Sequence, residues 1–343
     1  MPTLQTSCIR KPWAKRKALV LLLLAALLCV TSVLSLRCGS QNYTVSQLLA
    51  ALHSNNHTDP IWRIVVYSRI PRTLAALLAG SALATAGALM QAVLNNAMAS
   101  PNIIGVNAGA GFFAMLAVTL VPGTAGIMPM ASFLGAFGTA MFIYLLALRA
   151  GLSRTTLILS GIAVSSILNA GINAITLLAP DSVISATGFM LGGFSGVTTI
   201  SIRHAMIYLV IGFFLAFFLA PELNLLQLGE ESAAGLGLHV KRTRFLAIFA
   251  VALLAGGAVS FSGLLGFVGL LVPHMARRLA SGDNCWLIPA SALLGSSFVL
   301  ACDILARLLF SPFEFPVGII MSLLGGPFFL YLLLRRKRSR IYD

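Results

Sequence analysis

Charged side chains are scarce enough in this 343-residue chain that each can be weighed singly: 23 Lys and Arg, 9 Asp and Glu, and 5 His. The nearest thing to a chemical constellation is Arg69-Ile-Pro-Arg72, set against a distant Asp303 and Arg307. Guanidinium forks recognise carboxylates in bidentate fashion, so the chemistry such residues offer is docking or internal pairing. Asp303 stands four residues before Arg307, which predicts an i,i+4 ion pair. A second set is neutral: Gln91, Asn95, Asn96, Ser100, Pro101, Asn102 and Asn107, followed by Gly105, Gly109 and Gly111. A third is acidic, with Glu222, Glu230 and Glu231 among Gly229, Gly235 and Gly237. Catalytic sets are missing. No GxxxxGK[ST], HExxH or GxSxG occurs, and His53, His57, His204, His239 and His274 are scattered. Cys8, Cys29, Cys38, Cys285 and Cys302 form no CxxC and no metal-ligand spacing. The chain is expected to be no enzyme and to hold no cofactor or metal; if ATP drives it, another polypeptide hydrolyses the ATP.

These residues need elements to position them. The chain is 58% hydrophobic and only 9% charged, with a mean hydropathy of +0.95, whereas soluble domains carry about 25% charged residues. Uncharged runs of about 20 residues make it an all-α polytopic membrane protein. Ten spans are expected, near residues 18–36, 73–94, 103–121, 127–148, 155–178, 204–220, two within 245–276, 287–305 and 316–334. The first follows a basic tail, 1–17, and reads as an uncleaved span rather than a signal peptide. Residues 37–67 are too mixed to lie in the membrane, and 180–203 reads as a partial helix at its surface. The run 245–276 is too long for one helix and is expected to cross twice as two short spans joined near 260–266. The cytoplasmic piece 221–244 suggests two short bent helices. Everything from 18 to 334 forms one transmembrane domain, and 335–343 is a basic tail.

With ten spans both termini share a side. All but six of the 23 Lys and Arg then fall on that side, so both termini are expected in the cytoplasm. Basic residues confined to short loops and tails make nucleic acid an improbable partner despite a net charge of +14. The six exceptions include Arg69, Arg72 and Arg307, which are expected at the outer interface. They either snorkel to lipid headgroups or receive carboxylates of a docking protein. The amides of 91–107 are either a capped loop or the lining of an exit path. The 221–244 segment is either a connector or a docking surface for a cytoplasmic partner.

Six ordered blocks carry a resemblance. They are Arg69-Ile-Pro-Arg72 with Gly80–Gly87 and Gln91; 101–110, Pro-Asn-Ile-Ile-Gly-Val-Asn-Ala-Gly-Ala; and 228–237, Leu-Gly-Glu-Glu-Ser-Ala-Ala-Gly-Leu-Gly. They continue through 263–277, ending Val-Pro-His-Met-Ala-Arg; 301–307, Ala-Cys-Asp-Ile-Leu-Ala-Arg; and 315–318 with 325–328. Over about 64–334 the chain resembles permease subunits of FecCD/cobalamin-type ABC importers, which take up iron–siderophores, haem and vitamin B12 analogues.

The resemblance implies ten helices, a second permease subunit (identical or paralogous), two ABC ATPases carrying ATP and Mg, an extracytoplasmic substrate-binding protein, and residence in the bacterial cytoplasmic membrane. It implies binding-protein docking at Arg69, Arg72 and Arg307. It also implies ATPase coupling through Leu228, Gly229, Glu230, Glu231, Ala234, Gly235 and Gly237. The polar path would comprise Gln91, Asn95, Asn96, Pro101, Asn102, Gly105 and Gly109. Where the family reads Asn-Pro-Leu-Ala-x-Pro, this chain has Asn96-Ala97-Met98-Ala99-Ser100-Pro101 and lacks the first proline. Iron–siderophore is the expected cargo, with haem or cobalamin as alternatives. The rival from another class, an ion-coupled secondary transporter, would carry more ionisable groups at membrane depth than Asp303 alone.

Overall fold

Small residues decide which helices sit at the centre. In a computed structural model, which describes residues 12–339 apart from 40–42, 55–57, 125, 152, 281 and 310–312, the described chain is helical and without strands. The helices are α1 (Pro12–Arg37), α2 (Val45–Ser54), α3 (Pro60–Ile64), α4 (Ile70–Val93), α5 (Val106–Leu120), α6 (Ile127–Arg149), α7 (Arg154–Leu178) and α8 (Pro180–Leu191). They continue as α9 (Thr199–Leu226), α10 (Glu230–Gly235), α11 (Val240–Ser262), α12 (Val268–Leu279), α13 (Asn284–Leu309) and α14 (Val317–Ser339). Seven described helices are long and apolar enough to cross a membrane, and α5 and the 317–331 part of α14 are shorter apolar helices. Residues 1–11 of the basic N-terminal tail and 340–343 of the C-terminal tail lie outside the described residues.

Helix α4 is the axis. Its Ala/Gly/Ser/Thr sequence lets backbones meet: a Cβ added to Gly80 would lie 2.3 Å from the Gly295 carbonyl oxygen on α13. One added to Gly87 would lie 1.9 Å from that of Gly269 on α12. Contact this close is how helices associate where apolar surface alone gives no advantage over lipid.

Four boundaries differ from expectation. Part of 37–67 is helix: α3 passes through a π turn at Val65–Arg69 into α4, giving one continuous helix, Pro60–Val93. Helix α9 begins at Thr199 and runs through Pro221 to Leu226, so 221–244 holds one short helix, α10, rather than two. The run 245–276 is not two short spans. Helix α11 is full length with 23 residues, and α12, with 12, is too short at about 1.5 Å per residue to cross. Finally, α5 has 15 residues and begins within the helical layer. After α4 the chain turns back inward through a 3-10 turn, Pro101–Ile104. A Cβ on Gly161, seven residues into α7, would lie 1.8 Å from the Ile103 carbonyl oxygen.

Both interruptions use left-handed backbone, at Gly105 (φ 71°) and Phe267 (φ 63°). The starts of α5 and α12 meet around a cavity of about 190 Å³ lined by Ser100, Pro101, Asn102, Asn107, Leu265 and Gly266, among others. Irregular backbone at membrane depth is tolerated where protein buries it or where it lines a polar cavity.

Candidate functional site

The bundle has two polar ends. At one, Lys17 on α1 lies 4.0 Å from the Asp283 carboxylate and over the Trp286 ring, and Asn95 reaches the Gln227 carbonyl at 3.4 Å. At the other, the C-terminus of α1, the N-terminus of α4 and the C-terminus of α13 converge. Lys17 thus lies at the opposite end of α1 from Arg69, Arg72 and Arg307.

At the second end Asp303 is fully buried. Arg72 donates to it from Nε and Nη2, both at 3.0 Å to Oδ1, and Arg307 Nη2 meets Oδ2 at 3.0 Å. The i,i+4 pair is present, but Asp303 shares it with an arginine 231 residues away in sequence. Two cations on one carboxylate satisfy a charge that burial would otherwise penalise by several kcal/mol. The remaining donors cap α1: Arg307 reaches the Ser35 and Cys38 carbonyls (3.2 and 2.8 Å), and Arg69 those of Leu36 and Arg37. Arg69 also stacks on Tyr43, 4.6 Å from the ring centroid. The three arginines were expected at the outer interface, snorkelling to lipid or receiving a partner's carboxylates, with Arg307 paired to Asp303. They are instead 6–8% exposed and engaged within the chain, because the end carbonyls of α1 need donors.

Arg72 keeps one outward contact, Nη1 to Glu314 Oε2 at 3.2 Å, and Glu314 also accepts from the Ser195 hydroxyl. Burial raises the pKa of Glu314, but Ser195 and Arg72 outweigh it and hold the carboxyl below its usual range.

The amide set divides. Gln91 is buried, donating to the Leu270 carbonyl at 3.2 Å and accepting from Arg277 at 3.4 Å. Asn95 takes a left-handed turn (φ 43°), and Asn96 Oδ1 accepts from the Met98 N–H at 3.0 Å. Gly105 and Gly109 do not line the cavity: a Cβ on Gly109 would lie 2.4 Å from the Gly135 carbonyl oxygen, so these glycines pack α5 against α6. Only Pro101 and Asn102 of the seven expected path residues border the cavity, together with Ser100 and Asn107.

In the coupling segment Glu230 is bonded to the buried Arg244 at 2.6 Å, and Glu222 accepts from Thr243 at 2.6 Å. Leu228, Glu231, Ala234, Gly235, Leu236 and Gly237 are exposed, and Gly229 and Gly237 take positive φ at the bends. Two leucines, Leu228 and Leu236, are 62% and 63% exposed and make an apolar ledge at a polar end.

One feature escaped the sequence reading. Helix α7 exposes Ser166, Asn169, Asn173 and Thr176 in a single stripe, at spacings of three and four. The hydroxyls return to the Ile162 and Ile172 carbonyls at 2.9 Å; the two carboxamides are exposed. The spacing was the available signal, hidden within a run that hydropathy alone reads as a plain span.

A multi-pass bundle with an open polar stripe and a charged end is the architecture of a membrane permease. The sequence pattern of the FecCD transport family matches residues 27–335, and the chain belongs to that family. It is 37% identical over 327 residues to the Fe(3+)-citrate import system permease protein YfmE of Bacillus subtilis, covering 95% of this chain and 98% of that one. To the hemin transport system permease protein HmuU of Yersinia pestis it is 34% identical over 328 residues, covering 93% and 97%. A solved inward-facing structure of a metal-chelate type ABC transporter superposes with a TM-score of 0.82 at 29% identity, covering 93% of this chain and 99% of that one. The chain is thus a permease of the ABC metal-chelate importers, a class of transport components rather than enzymes.

Proposed function

We propose that the chain is the membrane subunit of a binding-protein-dependent importer that passes an iron(III) chelate, of siderophore or citrate type, into the cytoplasm. ATP is hydrolysed on separate subunits. The observation that carries this reading is the α7 stripe. Two exposed carboxamides on a membrane-length helix are costly against lipid, so that face belongs against a second permease subunit, identical or paralogous, with the polar stripe lining the path between them. The names of relatives that import Fe(3+)-citrate and hemin support a chelate cargo; haem or cobalamin is the alternative. Both termini lie in the cytoplasm of a bacterial cell, the Leu228–Gly237 ledge seats on the ATPases, and the Arg72 end receives the substrate-binding protein. Asp303, the carboxylate fully buried within the described spanning helices, is held by two arginines, which disfavours a proton-coupled carrier.

The test is uptake of iron(III)-citrate, an iron(III)-hydroxamate and haem by cells depending on this permease. The double substitution Asn169→Leu/Asn173→Leu is expected to abolish uptake while membrane insertion persists. Undiminished uptake, or proton-driven uptake by vesicles lacking any ATPase, would overturn the reading.

A further inference from the structure

The two carboxylates on Arg72 differ in kind. Asp303 is fully buried, holds the Nε/Nη2 edge of the guanidinium, and is itself fixed by Arg307. Glu314 holds Nη1 at 3.2 Å, its side chain is 55% exposed, and it comes from the non-helical segment leading into α14. Nearby, Arg69 and Arg307 are engaged with backbone carbonyls. Of these three buried arginines, Arg72 is the one that turns a guanidinium nitrogen, Nη1, outward to an exposed carboxylate. The chain's own Glu314 already occupies that nitrogen.

We infer that Glu314 is an internal latch on Arg72 that a partner's carboxylate displaces on docking, an inference that rests on the proposed docking of an extracytoplasmic binding protein at this end. The exchange swaps one carboxylate for another on the same guanidinium, so the charge balance at Arg72 is kept.

Release of Glu314 reaches further than one ion pair. Its second partner, the Ser195 hydroxyl, sits in the turn between α8 and α9. That turn is tied by backbone hydrogen bonds to the end of α11 and the start of α14: Gly193 N–H to Ser262 O (2.8 Å), Leu264 N–H to Phe189 O (3.0 Å) and Gly318 N–H to Gly192 O (3.0 Å). Residues 263–267 lead directly into α12 and the cavity. Docking is thereby converted into freedom of the α8–α9 turn, next to the backbone that joins the full-length α11 to the short α12. Such a two-state contact is what physical coupling between sites requires.

The experiment has two arms. In the chain alone, with its native cysteines replaced, spin labels at Thr199→Cys and Phe313→Cys report the separation of the turn from the α14 segment. Glu314→Ala should broaden that distance distribution, as expected when one of the contacts holding a segment is released. An unchanged distribution overturns the latch. In the second arm, the binding protein that restores uptake with this permease is purified and titrated onto permease in lipid nanodiscs. Glu314→Gln should tighten binding about three- to tenfold, since the binding-competent form is no longer masked. Ser195→Ala, which leaves all charges in place, should tighten it less, and docking to the wild type should reproduce the Glu314→Ala distribution. If Arg72→Lys weakens binding but docking leaves the distribution unmoved, the exchange fails and the docking reading stands. If Arg72→Lys and Arg307→Lys both bind like the wild type, the docking reading and with it the exchange fail, while the first arm still judges the intramolecular latch.

Discussion

Helices α4 and α7 have nearly the same length, 24 and 25 residues, and nearly the same mean hydropathy, yet opposite surroundings. In the continuous helix that ends in α4, 78% of the most apolar window is buried; in α7 the figure is 6%. The difference lies in where the small and polar residues fall. Helix α4 has glycine or alanine on every face and meets α12 and α13 at backbone distance. Helix α7 sets Ser166, Asn169, Asn173 and Thr176 in one stripe beside exposed Leu159, Ile162 and Ile167. Hydropathy reports that a helix belongs in a membrane; the arrangement of small and polar residues reports whether it is the centre of a subunit or a face awaiting something else.

Four measurements would break or sharpen this contrast. The largest effect is expected on the α4 side: Asp303→Asn strands two buried guanidiniums and should cost about 3–5 kcal/mol, read as loss of folded protein in thermal unfolding of the detergent-solubilised subunit. Next is Gly87→Val, whose Cβ meets backbone rather than a movable side chain. A cost of about 1–3 kcal/mol or more is expected, and a thermal midpoint equal to the wild type's would contradict the close helix contact. On the α7 side, Asn169→Leu/Asn173→Leu should change the stability of the isolated subunit by only about 0.5 kcal/mol, even though transport is lost. A large stability loss would mean that α7 is core after all.

The smallest effect concerns pH. The folded-state pKa of Glu314 is depressed, so its stabilising contribution is fully present above the unfolded value of about 4.3 and is lost as pH falls through the folded value. For a half-exposed pair it amounts to about 1 kcal/mol at most. The thermal midpoint should therefore carry no Glu314-dependent step between pH 8 and 5, and a small step below about pH 4 that Glu314→Gln removes.

Much of the fold was legible because hydropathy is a local sum along the chain. The crossings at α1, α4, α6, α7, α9, α11 and α13 each coincide with an expected run. The depth at which a helix starts is not local: nothing in 101–121 says that α5 begins inside the layer, since that depth is set by the Ile103 carbonyl resting on Gly161. The same holds for Arg72. Its place near the bundle end was readable, but its inward direction depended on Asp303, 231 residues away. Asp303 and Arg307, four residues apart on one helix, were readable as a pair. Glu314 and Ser195, both on non-helical connectors, carried no periodicity to reveal them.

The loop after α4 has alanine, not proline, at position 97, and its local rigidity comes from Asn96. Its side-chain oxygen accepts from the Met98 N–H, and Ala99 N–H closes back on the Asn96 carbonyl at 3.0 Å, a turn of the kind asparagine makes with its own backbone. A pyrrolidine ring stiffens a loop permanently and does so even in the unfolded chain. A carboxamide clip stiffens it only while the bond is made, and water can unfasten it. The loop beside the cavity thus has a reversible rigidity, held by hydrogen bonds that can open and re-form rather than by a ring that cannot.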